Sequence, residues 1–480
     1  LKQDLRKFFS YFDHNSLSKT IMTLLTASAR RASLRFHFYW VLLSSAFFFS
    51  SMTLMASDHA DPIHLPMGPE IFDDGKPNDA AVARLAGNTT DLFVFPVGAD
   101  GKLVNFPEKE GPPFTTFDRK KPKILLEPAD VAQIKALAVV FCVRPGLRKK
   151  PPLDLSGYTY FVHMDLRSRV LFDKDDEFSR HGGSIQDPDK ISPDVTIEIQ
   201  LNDDTTVKRQ SITSPGGVFH NGDKVHIYDA KSVKEKADEL TKFPNDIHLY
   251  TGYNANPFIF PKFFGTNIVS MVMIIPLSCF PEGQRDWIVW GATVGKDGKQ
   301  FDHVGRSLRT QNPRFDLLNT YRPKDHVKVI RAEKANPSLM RDLFVKFGFD
   351  SFFAYRPWDE TPDVMIYSDR FNVGYPNGRR LDDDVAALLA RYGDTLLYEL
   401  SYAGAKFPRD TTIDKPFLTE FPYLAEPWPD SPGKPGPSLS GKNKVIVGIG
   451  VGVFLLLVVL AAIGIWHLIH WLFLRRPIPG

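Results

Sequence analysis

Between Ala86 and Val304 the chain is a succession of short apolar blocks, each bounded by Gly, Pro, Asn or Asp. The stretch DVTIEIQLNDDTTVKRQSI reads as strands about an Asn202-Asp203 turn. Other blocks, such as IKALAVVFCVRP from Ile134 and TNIVSMVMIIPLSCF from Thr266, are apolar and strand-like. YTYFVHMDL, KVHIYDA, DIHLYTGYN and DWIVWGATVGKDGKQFDHV share the Val, Ile, Tyr and Phe enrichment. Asp100-Gly101, Asn202-Asp203 and Asp297-Gly298 stand where hairpin turns are expected, and the first predicts a hairpin over residues 86–106. The pattern predicts a mainly β fold: a large antiparallel β-sandwich or barrel-like body built from hairpins.

From Asn312 to Tyr402 the period changes. PSLMRDLFVKFGF and LDDDVAALLARYGDTLLYEL carry apolar residues at helical spacing and predict helices appended to the sheets. After Leu424 five prolines, Pro427, Pro429, Pro432, Pro435 and Pro437, predict an extended spacer over 425–444. Val445 to Leu474 then runs without a charge for about 30 residues, long enough to span a bilayer as a helix, and Arg475 and Arg476 close it.

The other end carries a matching signal. A basic stretch (Lys2, Arg6, Lys7, Lys19, Arg30, Arg31, Arg35) precedes the apolar block 36–56, which ends at Ala56, the order of a secretory leader. Met22 gives a leader of more normal length, and Leu54 stands where a small residue usually precedes cleavage, so a cleaved signal and an uncleaved anchor both stand. Either exports the body. Basic residues at both ends stay in the cytoplasm, which predicts a leader over 1–56, an extracytoplasmic body over 57–424, the spacer, the membrane helix and a cytoplasmic tail over 475–480.

Charge narrows the partners. A net charge of +3 on 480 residues, with no concentrated basic face beyond the leader and the run Arg144 to Lys150, argues against nucleic acid. A membrane through Val445–Leu474 and an envelope protein are the expected partners. Cys142 and Cys279 each lie in an apolar block, as two buried thiols or as one disulfide in an oxidising compartment.

Five sequence blocks resemble one bacterial family, named domain of unknown function 4331, over Ser57 to Leu424. They are the Ser/His/acid/Pro arm Ser57 to Pro62, the block Asn88 to Phe95 (NTTDLFVF), Asp302 to Arg306 (DHVGR), Tyr375 to Val385 (YPNGRRLDDDV) and Lys415 to Leu424 (KPFLTEFPYL). Ser307 replaces a proline usual after Gly-Arg, RSRVLFDKDDEF diverges from the turn many relatives carry, and the C-terminal anchor is not general to the family. The resemblance implies an exported, sheet-rich bacterial domain and, the family being uncharacterised, no activity.

Candidate chemistry is sparse. Cleavage after Ala56 would expose Ser57-Asp58-His59, whose amine, amides and imidazole can wrap Cu(II) or Ni(II). This is the alternative reading, an extracytoplasmic metal-binding or redox protein. Asp173, Asp175, Asp176 and Glu177 sit in an expected inter-strand turn with oxygens suited to Ca²⁺, without the central glycine of a calcium loop. Arg379 and Arg380 stand just before Asp382, Asp383 and Asp384, as an internal clamp or as a fork for an anionic ligand, with the acids also placed to cap a helix. His467 and His470, flanked by Trp466 and Trp471, read as an interfacial belt or as pigment ligands, and Gly448 and Gly452 as a small-residue pair. His163, His181, His220, His226, His248 and His303 have no metal-ligand spacing. The chain lacks a nucleophile elbow, a phosphate loop, a dinucleotide fingerprint and a His-Glu-x-x-His motif. A binding or scaffold module of the cell envelope is therefore favoured over an enzyme.

Overall fold

Side-chain alternation decides which face of each strand meets the core, and the strands pair as that alternation demands. A computed structural model of the chain describes residues 72–73, 76–77, 85–107, 124–147, 153–222, 224–235, 246–259, 263–307, 309, 315–337, 342, 345–346, 354–385 and 413–429, all within the compact unit Met55–Gly436. The protein is mainly β with few helices.

Eleven strands carry the fold: β1 (Thr89–Val97), β2 (Ala136–Leu147), β3 (Tyr158–Asp165), β4 (Val195–Leu201), β5 (Val207–Thr213), β6 (Val225–Tyr228), β7 (Ile247–Ala255), β8 (Asn267–Pro276), β9 (Asp286–Gly295), β10 (Gln300–Val304) and β11 (Met365–Ser368). One sheet has the order β6-β7-β8-β2-β1. The other runs β10-β9-β3-β4-β5, and β11 pairs with β9 alongside β10. Within these two sheets every pairing is antiparallel except β6 with β7, where Val225 lies opposite Ile247. Asn202-Asp203 and Asp297-Gly298 do turn the β4–β5 and β9–β10 hairpins. The expected 86–106 hairpin is reduced: Gly98 to Lys102 turn, but the return is a single bridge of Val97 to Leu103, and β1 takes β2 as its partner.

The sheets share one cluster of buried side chains, to which both contribute. They approach closely where β9 has no side chain, since a Cβ on Gly291 would lie 2.7 Å from the Phe141 ring of β2. β4 keeps its clean alternation of buried and half-buried residues, whereas β1 and β8 are buried at every position. The five-stranded sheet is therefore covered on its outer face too.

The cover comes from residues 413–429. Phe421 packs edge-on against Tyr228, His248 and Tyr250 of β6 and β7, and Tyr423 against Phe95 of β1, with ring centroids 5.2 Å apart. Tyr423 donates its hydroxyl to the Gly101 carbonyl at 2.7 Å, which ties this strap to the turn after β1. Ala425 and Trp428, inside the expected spacer, are bound to the sheet: Ala255 N and Asn254 Nδ2 donate to Ala425 O, and Asn267 bonds both backbone groups of Trp428.

Four short helices complete the described chain: α1 (Pro128–Val131), α2 (Asp175–His181), α3 (Ser232–Glu235) and α4 (Pro323–Ala335). α4 is absent from the sequence reading, and the two expected helices fall largely outside the described residues. Asp175, Asp176 and Glu177 form the first turn of α2 rather than an inter-strand turn, where the helix dipole favours acids. No helix among the described residues is long and apolar enough to cross a membrane; the leader, Ser57 to His59, the chain beyond Pro429 and Val445–Leu474 with His467 and His470 lie outside them.

Cys142 and Cys279 are both free and buried, not bridged. Burial, reinforced by Asp91, pushes the Cys142 thiol up, so it resists ionisation and attack. Maleimide labelling under native conditions is expected to modify neither thiol, and labelling after denaturation both; a native disulfide would leave the denatured, unreduced chain unlabelled.

Candidate functional site

The Asp302 to Arg306 block ends β10 and begins the loop on which the polar centre is built. Gly305 lets the backbones touch: a Cβ there would lie 2.5 Å from the Asp363 carbonyl. With that approach, Gly305 N and Arg306 N donate to the two Asp363 carboxylate oxygens at 3.2 and 3.0 Å. His303 Nε2 lies 2.8 Å from the Asp363 carbonyl oxygen, to which it donates. Arg306 Nη2 reaches Pro362 O at 2.6 Å and Thr361 Oγ1 at 3.2 Å. Arg309 donates to Thr361 Oγ1, Thr361 O and Asp359 O, and its guanidinium lies over Phe315. The segment 359–363 is thus held by two arginines and a loop of backbone amides.

Histidines from two helices hold the same segment. The Asp363 amide donates to His326 Nδ1 of α4 at 3.1 Å, and the opposite nitrogen, Nε2, donates to Tyr321 O at 2.9 Å. His181 of α2 bonds Trp358 O through Nε2 at 3.1 Å. These bonds fix each ring as one neutral tautomer.

Electrostatics follow from burial. Burial alone raises the Asp363 carboxyl, but the His303 hydrogen bond and the charges around it outweigh that and hold it well below the usual carboxylate range. Burial, then the neighbouring Arg306, lowers Arg309 to about 9. His326 is lowered to about 3 by burial and then His303, and His181 falls well below 6.5 by burial and then Arg306 and Arg309.

A second polar centre lies on β1. Arg379 Nη1 meets Asp91 Oδ1 at 2.6 Å with both side chains almost wholly buried, and its guanidinium lies 3.9 Å from the Phe93 ring centroid. Arg379 N donates to Val94 O, and Gly378, at φ 68°, passes so close that a Cβ would stand 2.4 Å from that oxygen. Asn377 donates through Nδ2 to Ser368 O, Phe371 O and Asn372 O. Arg380 takes a different partner set, Asp382 at 3.2 Å and Asp383 at 3.1 Å. Asp383 also accepts from Tyr375 N and Arg380 N, facing back along the chain, while Asp382 is exposed and Asp384 half-buried. The sequence left both arginines to clamp these acids or to hold an anionic ligand; Arg379 crosses to Asp91, 288 positions away, and only Arg380 meets the acids.

Four of the blocks singled out in the sequence converge, and the arm Ser57 to Pro62 lies outside the described residues. Thr89, inside NTTDLFVF, donates its amide and hydroxyl to Asp302 of DHVGR at 2.7 and 3.0 Å. Asp91 receives the arginine of YPNGRR, and Phe95 the tyrosine of KPFLTEFPYL. Of the other histidines, His163 bonds Thr196 and stacks on Phe161, while His226, paired with Asp246, stacks on His248 with ring centroids 5.1 Å apart, and His248 bonds Tyr228. Among the described residues no three His, Cys, Asp or Glu side chains are grouped to hold a metal. Sequence reasoning missed Thr361, Asp363 and His326; no motif marks them, because their partners lie up to 58 positions away.

Comparisons with protein-family models, curated proteins and solved structures return no match.

Removing Asp363 strands Arg306 and Arg309 in the interior, whereas Glu360 pairs with Arg331 and Lys334 at the surface. By urea denaturation Asp363→Ala is expected to cost about 3–5 kcal/mol, and Glu360→Ala about 0–1 kcal/mol. Equal costs would contradict this division.

Proposed function

We propose that the chain is a membrane-tethered extracytoplasmic module of a bacterial cell envelope, a β-sandwich that binds or organises an envelope partner. The observation that carries the proposal is how the body ends. Trp428 is clamped by Asn267 through both its amide and its carbonyl, so the chain leaves the sheet from a fixed point. A proline-rich stretch and then the uncharged run Val445–Leu474 follow it directly in sequence. The basic leader and Arg475-Arg476 supply the matching orientation signal. Resemblance to the domain of unknown function 4331 family agrees with export.

The polar centres favour binding or scaffolding over catalysis. Asp363, Arg306, Asp91 and Arg379 spend their charges on one another and on backbone groups, which leaves specificity to exposed loops.

Membrane fractions of cells expressing the full chain are expected to retain it through alkaline carbonate. Added protease is expected to digest the body from outside once any outer barrier is opened. Truncation after Pro429 releases a soluble body when the leader is cleaved and leaves it membrane-bound when the leader stays as an anchor. Carbonate extraction of the full chain, or a body digested only after cytoplasmic lysis, would overturn the proposal.

A further inference from the structure

The segment 354–364 is held by Arg306, Arg309 and two backbone amides, and also by histidines, whose hydrogen-bonding capacity changes with protonation. Two of its backbone groups are held by histidines on separate helices: Trp358 O by His181 of α2, and Asp363 N by His326 of α4. The two histidines differ in what a proton would do. His326 has no spare nitrogen, since Nε2 donates to Tyr321 O and Nδ1 accepts from Asp363 N. A proton on Nδ1 turns that acceptor into a donor facing another donor, and the bond is lost. His181 Nδ1 is buried and without a partner, and the ring lies among Arg306, Arg309 and Arg180. A proton there adds a positive charge beside guanidiniums, away from water.

We propose that residues 354–364 form an acid-released strap, freed from α2 and α4 when His181 and His326 take up protons while the two sheets stay folded.

The charged groups around these rings set the direction of the response. From the β10 loop His303, Arg306 and Arg309 face them; from the strap itself Asp363 and Asp359; from α2 Arg180; from α4 Arg331 and Lys334, paired with Glu360. Asp363 favours protonation of His326, but burial and His303 outweigh it, and the arginines oppose protonation of His181. Both histidines therefore titrate lower in the closed state than in an opened one, so closure is fully supported above the unperturbed value near 6.5 and loses support as pH falls below it. Each histidine multiplies the opening constant by up to about tenfold per pH unit, and the two together by up to about 100-fold. The Glu360 pairs are solvent-facing and weak, and Lys334 and Arg331 hold the Glu360 carboxyl below its usual value. The core of the five-stranded sheet, β8 and β2, contains no histidine and has no matching reason to open.

The test is hydrogen exchange of the full chain in detergent from pH 7.5 to 4.5, corrected for the intrinsic rate. Amides of 354–364 and of α4 are expected to lose protection below about pH 6, up to about 100-fold per unit, while β2 and β8 hold theirs. In His181→Gln/His326→Gln the amide side chains keep a donor for Trp358 O and both functions for the Asp363 and Tyr321 contacts but do not titrate, so the pH dependence is expected to disappear. Should that variant not fold, nitrogen NMR of the wild-type imidazoles takes its place, with Nδ1 protonation of His326 expected to coincide with loss of the Asp363 amide bond. Protection unchanged to pH 4.5, loss shared equally with β2 and β8, a double variant that responds like the wild type, or His326 protonation with the Asp363 bond intact would each overturn the proposal.

Discussion

The polar side chains of a wholly buried edge strand are cut off from water, and β1 is such a strand. Its Thr89 and Asp91 cannot turn to water, so each needs a partner from elsewhere in the chain. Asp302 and Arg379 supply them, and the backbone of Arg379 reaches Val94 as well. Closure of the body therefore depends on charges brought together from distant parts of the sequence. Breaking one such contact leaves a lone charge in the interior, which costs far more than the intact pair contributes.

The same constraint explains the glycines of these blocks. Gly305 and Gly378 stand where two backbones approach too closely for any side chain, and each brings its neighbouring arginine within reach of a buried carboxylate. Blocks that look in sequence like candidate binding motifs are, in the fold, the fasteners of loops over sheets. Their charge is used inside the molecule.

The strands were legible because Val, Ile, Tyr and Phe enrichment between turn residues marks them: DVTIEIQLNDDTTVKRQSI holds β4 and β5, and TNIVSMVMIIPLSCF holds β8. α4 was not legible because PKDHVKVIRAEKA buries only Pro323, His326, Val327 and Ile330, too few apolar residues to show a helical stripe; Pro323 at its first turn was the signal available. The hairpin expected after β1 failed for a different reason. Asp100-Gly101 makes the turn and Leu103 bridges Val97 on the edge of β1 away from β2, but Arg379 takes that edge at Val94, so the return goes no further. For Arg379 the nearby acids were the natural partners in sequence, and long-range topology chose Asp91 over them. Contacts across that separation follow from sheet order, which composition and spacing do not carry.

The claim that buried charge closes this fold is tested most directly by a double-mutant cycle on Asp91 and Arg379, measured by equilibrium urea denaturation of Asp91→Ala, Arg379→Ala and the double variant. The account expects a coupling of about 2–3 kcal/mol, with the double variant more stable than the sum of the single losses implies. Additive losses within about 0.5 kcal/mol would contradict it.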